Sequence, residues 1–294
     1  MGVYEELCAK LFPAPSERPH FILASTTHGA RAKAPFHVVH AARGDIAFGV
    51  APSDRVDLPL EIPRPRGYTS DMLPDTKTSE EYNENNYKAD EQTDTPYSPW
   101  LERLAPHDTL LRTIRALLSL RGLSPQWLGA GELQERIQRK LVTNSVINPL
   151  TALMGCRNGP ISVNSHAKHI TKQVCREAET VFRAQALDDL GGSSSQDGEL
   201  QQDSRSRLSL KEVELPFRLT APSLESEVAR VARMTAHNFS SMLQDVRKGH
   251  ETEVEYMNGY LCRMGTRYDV PTPINDMLRT LVKMKSEMPS GEEK

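Results

Sequence analysis

Three residues able to donate protons or hydrogen bonds recur at four-residue intervals in KLVTNSVINPLTAL, residues 140–153: Lys140, Asn144 and Asn148. On a helix, positions i, i+4 and i+8 project from one face. Leu141, Val142, Val146 and Ile147 occupy the other sides, which predicts a helix buried nearly all round. Polar groups in such a setting need partners, because an unpaired buried amide costs about 1–3 kcal/mol. One ammonium and two amides lining a pocket would suit a small, anionic, oxygen-rich substrate. Pro149 follows at once and is expected to kink or break the helix just beyond Asn148. Spacing alone leaves a plainer alternative open, a solvated polar stripe on an ordinary helix.

Other reactive residue types are weaker signals. Ser241 stands in a Ser-Ser pair, where a hydroxyl often bonds back to its own helix. Glu253 lies in the acidic run Glu251, Glu253, Glu255, the pattern of a solvated helix start. His28, His37 and His40 are close in sequence, but their spacing fits no standard metal-ligand pattern, so no metal site is expected. Cys8, Cys156, Cys175 and Cys262 are widely scattered and read as reduced thiols. A dinucleotide site would need Gly-x-Gly-x-x-Gly between a strand and a helix N-terminus. No such sequence occurs. GAGELQ, residues 129–134, has two glycines in the right relation but no third, and no strand is expected before it.

These residues must be carried by a mixed scaffold. Residues 3–12 predict a short amphipathic helix with Val3, Leu7 and Leu11 at helical spacing. Residues 21–26, 36–42 and 45–50 read as strands, the last two as a hairpin around Arg43-Gly44. Residues 62–98 are rich in Pro, Asp, Glu, Asn and Thr and nearly free of aliphatics, which predicts a disordered insertion. A second such break falls at 191–207. The remainder reads as helix, over 108–121, 131–147, 164–188, 223–247 and 251–267. A last helix starts with Thr272 as cap and Pro273 at its first position, with Ile274, Met277, Leu278, Leu281 and Val282 as an apolar stripe.

Composition narrows the function classes. A net charge of -3 gives no sign of a nucleic-acid or membrane-surface partner, and 38% apolar residues is low for a chain packed throughout its length. No apolar run approaches the roughly 18–20 residues that span a bilayer.

K-L-x-x-N-x-x-I-N-P-L-T-A-L followed by Asn158-Gly159 resembles the central motif of the ketopantoate reductases (2-dehydropantoate 2-reductases). SSMLQDVRKGHETEVEYMNGYL, residues 240–261, is similar to a second block of that family, and TPIN, 272–275, opens its expected final helix. TTHGA, 26–30, and the HVVHAARGDIAFG stretch resemble the last strands of its nucleotide-binding domain. The resemblance implies an α+β chain. Residues 1–60 would be the C-terminal part of a Rossmann-type domain and 61–100 the disordered insertion. Residues 101–288, with the disordered loop 191–207, would form an all-α substrate and dimerisation domain like the C-terminal domain of 6-phosphogluconate dehydrogenase.

The implied activity is reduction of 2-dehydropantoate to pantoate by NADPH, in the route to pantothenate and coenzyme A. Lys140 would be the general acid for the ketone oxygen, an ammonium being mostly protonated at neutral pH. Asn144, Asn148 and Ser241 would bind substrate, Glu253 would reach the cofactor near its ribose, and the backbone around Ala30 would lie against it. The implied partner is a small 2-oxo acid, with a homodimer through the helical domain left open. The expected compartment is the cytoplasm, with the mitochondrion left open. Met1-Gly2 aligns inside the family's Asn-Gly-Met-Gly segment, so the chain is expected to lack roughly one hundred residues of βαβ units and to have little activity alone. The strands at 21–50 would then lack their parallel neighbours. Two other readings stand beside this one: a non-catalytic interaction protein built on the helical domain, and a reductase of another branched 2-oxo acid.

Overall fold

The computed structural model describes residues 2–51, 109–192, 210 and 213–288. Both segments expected to be disordered lie outside these residues, except that Gly191 and Gly192 end a helix. The chain packs as two compact units, residues 14–133, and residues 1–13 together with 134–294. Packing thus groups the first helix, α1 (Val3–Leu11), with the later helices, whereas the resemblance implies boundaries at 60 and 100.

In the strand unit, β1 (Ile22–Thr26), β2 (Gly29–Ala34), β3 (His37–Ala42) and β4 (Ile46–Val50) precede α2 (Thr109–Leu118) and β5 (Pro125–Trp127). β4 is the centre of a three-stranded sheet, antiparallel to β1 and parallel to β5. One parallel neighbour of the early strands is therefore present. The hairpin expected from 36–42 and 45–50 does not form. β3 pairs instead with β2, whose sequence GARAKA alternates only small alanines with charged residues and so is a weak strand signal. Hydrogen bonds after β3 explain the route: Gly44 N–H donates to His28 Nδ1, and Asp45 N–H to Thr27 Oγ1. They turn the chain back to the end of β1 rather than along β3.

Flanked on both sides, β4 is buried, and its residues read as a short apolar run. A Cβ on Gly49 would meet the Leu128 carbonyl oxygen at 2.6 Å, so the strand beside it demands glycine. Leu110 and Ile114 of α2 pack with Ile22, Val50, Leu118 and Trp127. Phe48 and Trp127 meet edge to face at 5.8 Å, a favoured aromatic arrangement.

The helical unit contains α1 and most of α3 (Ala130–Met154), then α4 (Gly159–Val163), α5 (Ser165–Gly192), α6 (Ala221–Met234), α7 (Ser241–Lys248), α8 (Asn258–Arg267) and α9 (Pro273–Glu287). Its core joins Leu141, Val142, Val146 and Leu150 of α3 to Val174, Val181 and Phe182 of α5 and to Leu224, Leu261 and Val282. Full burial of one such side chain is worth about 1.5–3 kcal/mol. On α1 the expected stripe is not the packed face: Val3 and Leu11 are exposed, and Cys8 is the buried residue.

Several helix limits differ from expectation for identifiable reasons. α3 continues through Pro149. The Ser145 carbonyl, which Pro149 has no N–H to serve, accepts from Asn258 Nδ2 at 2.9 Å. The single helix expected over 223–247 is two. Between them, the carbonyls of Ala236 and Asn238 accept from Gly159 N–H and Asn158 N–H, and Ser240 starts α7 as its cap. The stretch 251–267 opens with a 3₁₀ turn, Glu253–Tyr256, before α8. Thr272 makes no side-chain cap. Glu177 of α5 accepts from Ile274 N–H and Asn275 N–H at the start of α9 in its place. Met277, expected in the stripe, is 58% exposed, while Leu278 and Val282 are buried.

Candidate functional site

The line Lys140, Asn144, Asn148 is graded along α3. Lys140 is exposed, Asn144 half-buried and Asn148 buried. At about 1.5 Å rise per residue, successive members sit about 6 Å apart along the axis. The expectation that all three are buried thus holds only at the far end. Neighbouring ion pairs fix the outer half of the helix. Arg139 meets Glu227 of α6 at 3.3 Å, and Arg218 meets Glu135 at 3.7 Å. Burial raises the Glu227 carboxyl pKa, but Arg230 and Arg139 outweigh that and hold it below the usual range.

At the inner end, Asn148 Nδ2 donates to the Met257 thioether at 3.7 Å. A thioether is a weak acceptor, so a strong donor is held there by a poor partner. One turn on, Thr151 Oγ1 and Ser240 Oγ lie 2.7 Å apart, and Ser240 Oγ accepts from Leu243 N–H. Ser240 is the buried cap, which leaves its neighbour Ser241 exposed in the first turn of α7. The segment before Ser240 is also anchored. Asn158 Nδ2 donates to Thr235 Oγ1 at 2.9 Å, and the Phe239 ring has the Arg157 and Arg247 guanidinium carbons each 4.4 Å from its centroid. Cation–ring contacts of this kind contribute roughly 0.5–1 kcal/mol when exposed.

Asn148, the Ser240–Ser241 pair and the turn carrying Glu253 therefore converge on the last turns of α3, the last through Met257, which follows that turn directly. Glu253 is exposed. Ala30, by contrast, is an exposed residue of β2 in the strand unit. Sequence reasoning missed Ser240, Thr151, Met257 and Asn258 as supports. The signal for Asn258 was present: a proline inside a helix leaves a carbonyl that some other donor must meet.

The histidines form no metal cluster among the described residues. His28 Nε2 lies 2.9 Å from the Leu123 carbonyl, and His28 Nδ1 lies 2.9 Å from His40 Nε2 and takes the Gly44 N–H as well. A ring engaged in this way ties β3, the loop at Gly44 and the turn at Leu123 together. All four cysteines are free, and burial raises the Cys175 thiol pKa far above its usual value. No helix among the described residues is long and apolar enough to cross a membrane.

GAGELQ does follow a strand, contrary to expectation, since β5 ends at Trp127 and α3 starts at Ala130. Its third glycine position is Gln134, and a Cβ on Gly131 would meet nothing within 4 Å. The turn is therefore not a glycine cradle for pyrophosphate. Ala30 and Glu253, the positions the resemblance assigns to the cofactor, are both exposed.

The family model described as ketopantoate reductase PanE/ApbA C terminal matches residues 132–286. The 2-dehydropantoate 2-reductase of Archaeoglobus fulgidus is 30% identical over 152 residues, 52% of this chain and 40% of that protein. A probable 2-dehydropantoate 2-reductase of Schizosaccharomyces pombe is 24% identical over 286 residues, 97% of this chain and 64% of that one. The crystal structure of 2-dehydropantoate 2-reductase from Methylococcus capsulatus superposes with a TM-score of 0.58 at 17% identity, covering 98% of this chain and 64% of that one. The chain thus spans about 40% to 64% of the length of these relatives. With its matched region covering more than half of its length and taking in α3 through nearly all of α9, the chain belongs to the ketopantoate reductase family.

Proposed function

We propose that this chain supplies the 2-oxo acid-binding part of a 2-dehydropantoate 2-reductase, holding ketopantoate against α3. The observation that carries this is the grading of α3, from an exposed ammonium at Lys140 to a buried amide at Asn148 whose Nδ2 donates to a thioether. A short anionic substrate lying along that line would exchange a weak donor–sulfur contact for a donor–carboxylate bond. Hydrogen bonds to charged groups are worth about 1.5–3 kcal/mol, well above a contact to sulfur. Lys140 polarises the ketone oxygen and delivers a proton to it, a role suited to a group that is protonated at neutral pH. Asn144 and Asn148 hold the hydroxyl and carboxylate, and the Ser241 hydroxyl adds a bond from the start of α7. Glu253 is the cofactor-facing residue of this unit, and Ala30 that of the strand unit. NADPH is the reductant that the family resemblance implies.

Titration calorimetry of the chain with pantoate and with 2-dehydropantoate tests the reading. The wild-type protein should bind both, and Lys140→Ala should weaken binding by roughly 10- to 100-fold, the loss of one charge-assisted bond. NADPH oxidation, where it is measurable, should fall at least as much. Equal affinity in wild type and Lys140→Ala would remove Lys140 from the site, and no binding by the wild type would remove the substrate assignment.

A further inference from the structure

Pro149 sits inside α3, and the carbonyl it cannot serve is that of Ser145, four residues earlier. That carbonyl lies between the turn bearing Asn144 and the turn bearing Asn148. The donor that reaches it comes from far along the chain. Asn258 Nδ2 donates to the Ser145 carbonyl at 2.9 Å and to Asn275 Oδ1 at 3.0 Å. Two acceptors on one nitrogen settle which end of the Asn258 amide faces α3. Asn275 Nδ2 donates in turn to Glu177 Oε2 at 2.7 Å, and the same carboxylate takes two backbone N–H groups of α9. Asn258 and Asn275 are fully buried. The chain Glu177, Asn275, Asn258, Ser145 is thus a relay from α5 through α9 and α8 to the gap in α3.

We infer that Asn258 is a positioning residue: it supplies the hydrogen bond that Pro149 removes and so fixes the two turns of α3 that present Asn144 and Asn148. A helix with a proline and no external donor would have an unserved carbonyl at this point and freedom to bend there. With the donor, the interruption has one geometry. The residue before the clamp adds to it, because Met257 is the partner of the Asn148 amide. The assignment rests on reading Asn144 and Asn148 as substrate-binding residues.

A double-mutant cycle on the 294-residue chain separates positioning from stability. Asn258→Leu should lower Tm by roughly 5–10 °C, the cost of unserved buried groups. Adding Pro149→Ala restores an N–H at residue 149 and should recover most of that loss. The double variant should nevertheless keep a displaced Asn148 side-chain amide resonance and bind pantoate about tenfold more weakly than wild type. Should Asn258→Leu alone not fold while the double variant does, the rescue is shown directly. Pro149→Ala recovering none of the lost Tm would overturn the surrogate bond. A double variant with the wild-type Asn148 resonance and wild-type affinity would overturn the positioning role. If the wild type binds no 2-oxo acid, the substrate reading fails, and the Tm cycle with the Asn148 resonance still decides the clamp.

Discussion

Replacing Glu177 by alanine should destabilise the helical unit more than any other single change to a surface-reaching side chain on α5. The carboxylate accepts from Ile274 N–H at 2.8 Å, Asn275 N–H at 3.0 Å and Asn275 Nδ2 at 2.7 Å. Losing a helix cap costs about 0.5–2 kcal/mol, and losing a negative charge at a helix N-terminus about 0.3–1 kcal/mol. Leaving the buried Asn275 amide short of an acceptor adds about 1–3 kcal/mol. These terms overlap, so the expected total is about 2–4 kcal/mol rather than their sum. At roughly 2–4 °C per kcal/mol, Tm should fall by about 5–15 °C. Glu177→Gln keeps an acceptor and loses the charge, so it should cost about 1 kcal/mol. Glu179 provides the control. It stands two residues along α5 and gives one backbone bond to another helix, accepting from Ala221 N–H at 2.9 Å at the start of α6. Glu179→Ala removes that one cap and the half-buried pair with Arg183 at 2.8 Å, and should cost about 1–2 kcal/mol. Urea unfolding with an unchanged slope gives the difference, and hydrogen exchange at residues 274–278 locates it. Equal losses in Glu177→Ala and Glu179→Ala, or a loss below about 0.5 kcal/mol in the first, would refute the account of Glu177 as cap and network anchor together.

Two further outcomes follow from the packing and the charges. Gly49→Ala should destabilise the strand unit by about 1–3 kcal/mol, because the new Cβ would meet the Leu128 carbonyl oxygen at 2.6 Å, a backbone atom with nowhere to go. Faster hydrogen exchange across residues 46–50 checks this, and wild-type protection there would count against it. Glu227 has a folded-state pKa held below its ordinary 4.5 despite burial, by Arg230 and Arg139. Its contribution to stability is therefore complete above the ordinary carboxylate range and disappears as pH falls through the depressed folded value. The Tm gap between wild type and Glu227→Gln should be open at neutral pH and close as pH falls below the ordinary carboxylate range; a gap that stays constant as the pH is lowered would exclude this carboxylate as the source.

What could be read in advance, and what could not, divides by range. Helical period placed α3, α5 and α9, and apolar runs placed β1, β3 and β4, because those signals are local. Pairing was not local. The bonds that turn the chain at Gly44 and Asp45 come from His28 and Thr27, and β2 is stabilised by its partner rather than by its own sequence. The candidate site shows the same division more sharply. The spacing of Lys140, Asn144 and Asn148 gave a shared face, yet not its gradient, since exposure at Lys140 and burial at Asn148 depend on the helices packed around α3. The rule that makes Pro149 a kink or break counts only the donors within its own helix. The donor that annuls the rule sits at Asn258, and it is held in turn by Asn275 and Glu177. A proline in the middle of a buried helix is thus evidence about another part of the chain: some side chain must face the carbonyl four residues back. In a buried setting both N–H groups of that donor must be met, since an amide whose second N–H had no acceptor would return part of the cost it removes. Here the second bond of Asn258 goes to Asn275, and the strongest acceptor available, a carboxylate that also caps α9, terminates the relay. The helix interruption, the N-G sequence at 258–259 and the otherwise unexplained acid at Glu177 are one device, and a substitution at any of the three should be felt at the other two.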